Sequence, residues 1–238
     1  MIKKVSLALC MLIAVSCAEL QQVVNQLPIS TDTALSNETI ANGLKEALDQ
    51  GIEKQVSKLT ATDGFYKNEL VKILLPEDLQ KVEKTLRDIG LGSLADEGLK
   101  VLNRAAEDAV SEAKPIFVNA VKDISFADAK KILLGDNVAA TTYLETKTNT
   151  ELYAKFNPVI NESFKKVGAD KIWSSIILKY NAIPLTNNIN PNLTDYVTGE
   201  ALTGVYKMIA VEEEKIRTNF SSRTTDILKT VFALQDKK

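Results

Sequence analysis

The 238 residues predict an all-α fold: a single-domain bundle of about eight to ten helices, several of them short. Three observations carry this. Apolar residues recur at spacings of three and four over most of the chain, the period of one helix face. Gly and Pro number 10 and 6 of 238, well below the roughly 12% average, which disfavours turn-dense all-β architectures. Serine, proline and glycine stand where helices start and stop. Charged residues make up 25% and hydrophobic ones 45%, ordinary for a globular chain.

The helical pattern begins at Ser36, a candidate N-cap. Ile40, Leu44, Leu48, Ile52, Val56 and Leu59 follow as one stripe. Asp63-Gly64 marks a turn. Residues 69–75 form a short apolar run ended by Pro76 and are read as a short extended segment. Pro76 suits the first helical position, with Glu77 and Asp78 complementing the dipole. Leu79, Val82, Leu86 and Ile89 repeat at 3-4-3, and Gly90 stands where a helix closes in the left-handed region. Ser93 with Asp96 reads as a box-like cap for a helix whose stripe is Leu94, Gly98, Leu102, Ala105 and Ala109, small enough for close helix approach. Pro115 restarts the chain, and Ser125 with Asp128 caps a short helix ending at Gly135. Residues 137–146 read as one helix and 148–167 as another, interrupted at Pro158. Residues 169–180 carry Trp173, 184–192 are a polar loop, 194–217 a long helix and 223–234 the last one.

The N-terminus carries a different signal. Lys3 and Lys4 precede an apolar stretch of 11 residues, Val5 to Val15, too short for a bilayer span of about 20 residues but of signal-peptide length. It ends in Ile13-Ala14-Val15-Ser16-Cys17, which resembles a bacterial lipobox. The resemblance implies cleavage before Cys17, lipidation of its thiol and acylation of the new amine. The chain then divides into a signal peptide (1–16), a lipidated Cys17 with a polar tether (17–35) and the all-α domain (36–235). The expected localisation is a lipid anchor on the bacterial membrane, Ala18 pointing to the outer membrane facing the periplasm. Losing Lys3 and Lys4 moves the net charge from −2 to −4. Cys10 leaves with the signal and Cys17 is blocked, so no thiol remains for catalysis, disulfide or metal.

With no histidine in the chain, Ser-His-Asp and Cys-His catalysis and His-ligated zinc or haem are excluded. No phosphate-binding glycine loop, no EF-hand and no metal constellation is present, and no cofactor is called for. The near-neutral charge advertises no nucleic acid.

Several blocks taken in order carry a family resemblance: Leu75-Pro76-Glu77-Asp78-Leu79-Gln80-Lys81-Val82-Glu83; Asn103-Arg104-Ala105-Ala106-Glu107 with Pro115-Ile116-Phe117; Leu152-Tyr153-Ala154-Lys155-Phe156-Asn157-Pro158; Asp195-Tyr196-Val197-Thr198 through Met208-Ile209-Ala210, Glu212-Glu213 and Ile216-Arg217; and Arg223-Thr224-Thr225-Asp226-Ile227-Leu228. Residues 36 to 233 resemble a bacterial domain-of-unknown-function family numbered 4197. The resemblance implies an exported, mostly helical protein and carries over no catalytic residue. Ser111 and Ser221 stand where members of that family often have proline.

Candidate site residues come from charges placed on apolar faces. On the helix carrying Leu202, Val205, Tyr206, Ile209, Ile216 and Phe220, Glu213 falls about 40° from the centre of the stripe and Glu212 about 60° to the other side. A carboxylate so placed needs a partner: Arg217 one turn on, or Arg104 from another helix. The alternatives are a carboxylate facing a ligand cavity, or simple exposure where the stripe ends. Arg104 and Glu107 are neighbours on an Ala-rich helix and read as an ion pair or a groove lining. Ser222, Arg223 and Thr224 precede the last helix and read as an N-cap or an anion site. Trp173 reads as core. Three functions stay open: a membrane-tethered interaction module with an envelope protein partner; a carrier or sensor of a small apolar ligand, with Glu213 or Arg104 at the mouth of its cavity; and a carboxylate-dependent enzyme.

Overall fold

A computed structural model describes residues 35–236, apart from 89, 91, 172, 175–177 and 179–191. Among these residues eight α-helices have defined bounds: α1 (Asn37–Thr60), α2 (Glu77–Asp88), α3 (Gly92–Val110), α4 (Ala113–Lys122), α5 (Phe126–Leu133), α6 (Ala139–Val167), α7 (Leu193–Thr218) and α8 (Asp226–Phe232). A 3-10 turn, Phe220–Ser222, links the last two. Residues 169–171 and 173–174 are also helical, and no strand occurs among the described residues. The expected polar loop 184–192 lies almost wholly outside them, as do Ile89 and the side chains of Leu86 and Leu94.

Helices α6 and α7 lie antiparallel at the centre: Glu213 meets Ala140 and Thr141, Tyr206 meets Thr148, and Asn157 meets Thr198. Helix α1 packs on α7, also antiparallel to it, since Lys54 and Gln55 reach Glu212 while Leu44 and Leu48 lie beside Ile216 and Arg217. All six residues of the expected α1 stripe are buried. Ser36 Oγ accepts from Thr39 N at 3.0 Å, and Ser125 Oγ accepts from Asp128 N at 3.1 Å while donating to its carboxylate at 2.7 Å. Both helices therefore start where the sequence places their caps. Gly90 has φ +83°, the left-handed close expected after α2. Gly98 gives close approach its physical content: a Cβ there would stand 2.9 Å from Trp173 Cζ2, and Trp173 is buried.

Four expectations change. The two helices read at 137–146 and 148–167 are one, α6, running through Pro158. Its buried stripe, Leu144, Thr148, Leu152, Phe156, Ile160 and Phe164, keeps four-residue spacing across the proline. Pro158 and Ala154 are both on the exposed side, so the carbonyl that loses its donor faces water, and burial holds the helix together. Thr146 and Thr148 return their hydroxyls to the Thr142 and Leu144 carbonyls at 2.8 and 2.7 Å and so do not break the helix. Helix α3 starts at Gly92, inside the expected cap, and Asp96 turns away to Arg87 at 2.6 Å. The last helix starts at Asp226 with Thr225 as its cap, because Arg223 is drawn back to the end of α7.

The fourth change is at 69–75, where no strand forms. Residues 69–71 are turn, and 72–76 have no regular structure. A side chain does the work of a partner strand: Asn103 Oδ1 accepts from Ile73 N at 2.8 Å and Asn103 Nδ2 donates to Ile73 O at 2.8 Å. A buried apolar segment needs such a partner for its peptide groups, and a single amide satisfies both at once.

Tyr206 is buried between α6, α7 and α4. Its hydroxyl meets Thr148 Oγ1 at 2.8 Å and its ring lies edge-on to Phe117 at 5.9 Å. Burial pushes its pKa up to about 12. An unfolded tyrosine ionises near 10, so from about pH 10 upward the unfolded chain releases a proton that the folded chain retains. Stability therefore falls as pH rises through that window. Tyr206→Phe is expected to flatten the loss, measured as the midpoint of urea unfolding at pH 9 and pH 11. An unchanged difference between the two would remove Tyr206 as the source.

Candidate functional site

Three groups of charged side chains grip backbone, and a fourth buried charge, Glu212, meets only side chains. The first sits where α7 crosses the α5–α6 connection. Glu213 Oε1 accepts from Ala140 N at 2.9 Å, and Oε2 accepts from Thr141 N and Thr141 Oγ1, both at 2.8 Å. These are first-turn amides of α6, which have no partner inside their own helix and carry the positive end of its dipole. The N-cap residue Val138 offers no side-chain acceptor, and Glu213 supplies one from another helix. Arg217, one turn along α7, donates Nε to Glu213 Oε1 at 2.8 Å, NH1 to Leu133 O at 2.9 Å and NH2 to Ile132 O at 3.0 Å. Those carbonyls end α5. One Glu–Arg pair on α7 thus closes the end of one helix and the start of the next.

The second group continues this one. Arg223 donates Nε to Ile216 O and NH2 to Arg217 O, each at 3.0 Å, at the end of α7. Asp236 pairs with it at 2.5 and 2.8 Å, and this hydrogen bond to Arg223 holds the Asp236 carboxyl below its usual range. The guanidinium groups of Arg217 and Arg223 both stand over the Phe232 ring, at 5.9 and 5.8 Å. Gln235 Nε2 adds a second donor to Leu133 O at 2.7 Å. At the expected anion site, then, Arg223 is buried and already carries a carboxylate from its own chain, while Ser222 and Thr224 contribute nothing to it. Thr224 Oγ1 instead donates to Gln50 Oε1 at 2.9 Å.

The third group lies at the other end of α1. Glu107 Oε1 accepts from Phe65 N at 3.1 Å and from Tyr66 N at 3.4 Å, and Oε2 accepts from Asp63 N at 3.3 Å. Arg104 donates to Glu107 at 2.7 Å and to Asp63 at 2.6 Å. The turn after α1 is folded around this carboxylate, with Asp63 in the left-handed region at φ +67°. The alternative in which Arg104 pairs with Glu213 is therefore not the one realised: Arg104 serves Glu107 and Asp63.

Glu212, beside Glu213, turns the other way. Lys54 Nζ lies 2.5 Å from it and Gln55 Nε2 donates at 2.8 Å. The two adjacent carboxylates thus face different helices and form no dyad, as the roughly 100° step between neighbours requires. Beside Glu213 and Arg217 lies a cavity of about 20 Å³ lined also by Leu44, Leu48, Ile209 and Phe232, space for one water molecule and none for an apolar ligand. Among the described residues no three Asp, Glu, Cys or His side chains converge on a metal position, and no helix is long and apolar enough to cross a membrane.

Sequence reasoning missed the partners. Asn103 was the legible one, a polar residue in the buried face of α3 beside Leu102 and Ala106. Gln55 and Thr141 are likewise buried polar residues on apolar faces. Asp63 is marked only as a turn residue, and nothing local marks Gln235 or Asp236, which matter through where the chain returns.

A family model described as a protein of unknown function (DUF4197) matches residues 34–233, and the chain belongs to that family. No curated protein and no solved structure matches it.

Proposed function

We propose that this member of the DUF4197 family is a lipid-anchored helical interaction module of the bacterial cell envelope. The observation that carries the reading is the N-terminal order of Lys3 and Lys4, an 11-residue apolar stretch and Ile13-Ala14-Val15-Ser16-Cys17. A cleavable signal ending at an acylated cysteine holds a protein on a membrane through more than one chain, where a single chain holds only marginally. The domain begins at Ser36, so residues 17–35 act as the spacer. Support from the fold is indirect. The buried charges at Glu213–Arg217, Arg223 and Glu107–Arg104 are each consumed by helix ends and a turn, so these charges do not form a ligand site. The same arrangement disfavours a carboxylate-dependent enzyme at Glu212 and Glu213, and the water-sized cavity disfavours a carrier at Glu213.

The test is Cys17→Ala in the native host. Wild type is expected in the membrane fraction with a mass increment of acyl chains on the mature N-terminus, and the variant in the soluble fraction without it. A variant that stays with the membranes, or a wild type without the acyl mass, overturns the anchor.

A further inference from the structure

Helix α5 buries one face and exposes an unusual one. With Phe126 set to 0° and about 100° per residue, buried Ala129, Ile132 and Leu133 fall between about 240° and 340°. Phe126, Lys130, Leu134, Ala127 and Lys131 fall between 0° and about 140°, and all five are exposed. Phe126 is 56%, Val138 40% and Leu134 37% exposed. Large apolar side chains alternating with lysines on one outward arc match a surface lying at a bilayer interface, where the rings and methyls enter the headgroup boundary and the lysine stems run along it with their ammonium groups in water. Asp128, at about 200° and so off the arc, is half-buried and tied to the Ser125 hydroxyl, while exposed Asp136 stands beyond the end of α5 near Lys131.

The position of α5 agrees with this. Lys45 Nζ donates to Lys122 O, at the end of α4 and just before α5, at 2.7 Å. At its other end α5 is held by Arg217, beside Leu44 and Leu48. The contacts at both ends therefore fall on the stretch of α1 that lies within about 18 Å of Ser36 along the helix axis, at 1.5 Å per residue, and Ser36 is where the tether joins. A tether of residues 17–35 reaches at most about 65 Å, ample to let this face touch the surface that holds the lipid.

We propose that the outer face of α5, through Phe126, Leu134, Lys130 and Lys131, docks on the headgroup layer of an anionic bilayer. The inference rests on the reading of Cys17 as lipid-bearing. An arc of this size binds weakly by itself, and the anchor supplies the local concentration that makes it effective.

The test uses the lipidated full chain reconstituted into vesicles of phosphatidylcholine with phosphatidylglycerol. Because Cys17 is blocked and Cys10 removed, Leu134→Cys gives a single site for a polarity-sensitive bimane label. Leu70→Cys, 49% exposed beyond the far end of α1, is the control. The expected result is a blue shift of the label at 134 on vesicle binding, none at 70, and loss of the shift in Lys130→Glu/Lys131→Glu while the protein still floats with the vesicles. Flotation without a shift at 134, or equal shifts at both sites, overturns the docking and leaves the anchor intact. A shift that follows protein concentration rather than lipid assigns the face to a second copy and overturns the docking. Failure to float overturns the anchor and the docking together.

Discussion

Arg217→Met is expected to be the most damaging single change in the domain. It removes the guanidinium paired with Glu213, leaves that buried carboxylate without this counter-charge, and strips donors from the Ile132 and Leu133 carbonyls at the end of α5. Breaking one side of a buried pair costs about 3–5 kcal/mol, and for a domain of this size that lowers Tm by roughly 6–20 °C. Glu213→Leu works from the other side, orphaning the Ala140 and Thr141 amides and leaving Arg217 unpaired. Glu214→Leu, one residue on and exposed, is expected to stay within about 0.5 kcal/mol of wild type. The double variant Glu213→Gln/Arg217→Met keeps an acceptor for the α6 amides while removing both charges. Its loss is expected to be smaller than the sum of the losses in Glu213→Gln alone and Arg217→Met alone, with a coupling of about 0.5–3 kcal/mol. Equal melting temperatures for the Glu213 and Glu214 variants, or strict additivity in the double variant, would show that the pair does not act as a unit. Gln235 still reaches Leu133 O, so in Arg217→Met one α5 carbonyl keeps a donor, the α6 amides keep Glu213, and the loss falls on the unpaired carboxylate and Ile132 O.

Glu107→Leu is the second large effect, and it is local where the first is global. The substitution leaves the Asp63, Phe65 and Tyr66 amides without their shared acceptor and frees Arg104 from one of its two carboxylates. A buried donor left unsatisfied costs about 1–3 kcal/mol. The Phe65 amide is the buried one of the three, so the expected loss is about 3 kcal/mol, the other two recovering partly in water. The turn also seats Phe65, which is fully buried and lies so close to Gly204 that a Cβ there would stand 2.7 Å from its ring. Loosening the turn therefore loosens a core ring. Hydrogen exchange at the 63–66 amides reads this directly: exchange is expected to accelerate in Glu107→Leu and to recover partly in Glu107→Gln, which keeps one carbonyl acceptor. Unchanged exchange in the leucine variant would mean that the turn holds its shape without the carboxylate.

These two sites show how far the chain could be read in advance. The stripe from Ile40 to Leu59, the caps at Ser36 and Ser125 and the close at Gly90 depend on residues within one or two turns of each other, and all stand where the spacing puts them. Glu213 was marked by a local conflict, a carboxylate on an apolar stripe, and Arg217 by its i+4 position. Their purpose was not marked, because the groups they satisfy belong to helix ends 73 and 84 residues away in sequence. Proline gave a misleading local signal at Pro158, where the rule for an isolated helix yields to packing on α7 and α3.

What the sequence by itself determined is the all-α class, most of the helix starts and stops, and the positions of the costly charges. Each of these follows from short-range physics: the 3.6-residue period, first-turn amides seeking an acceptor, and the cost of a charge on an apolar face. Only the tertiary structure decided that α6 is one helix, that Asn103 stands in for a strand beside Ile73, that Glu107 folds a turn around itself, and that the Arg223 guanidinium is filled by Asp236. In the last three cases a polar group left over by one segment is satisfied by a residue of another segment. Burial makes that satisfaction obligatory, and no local pattern records which distant residue provides it.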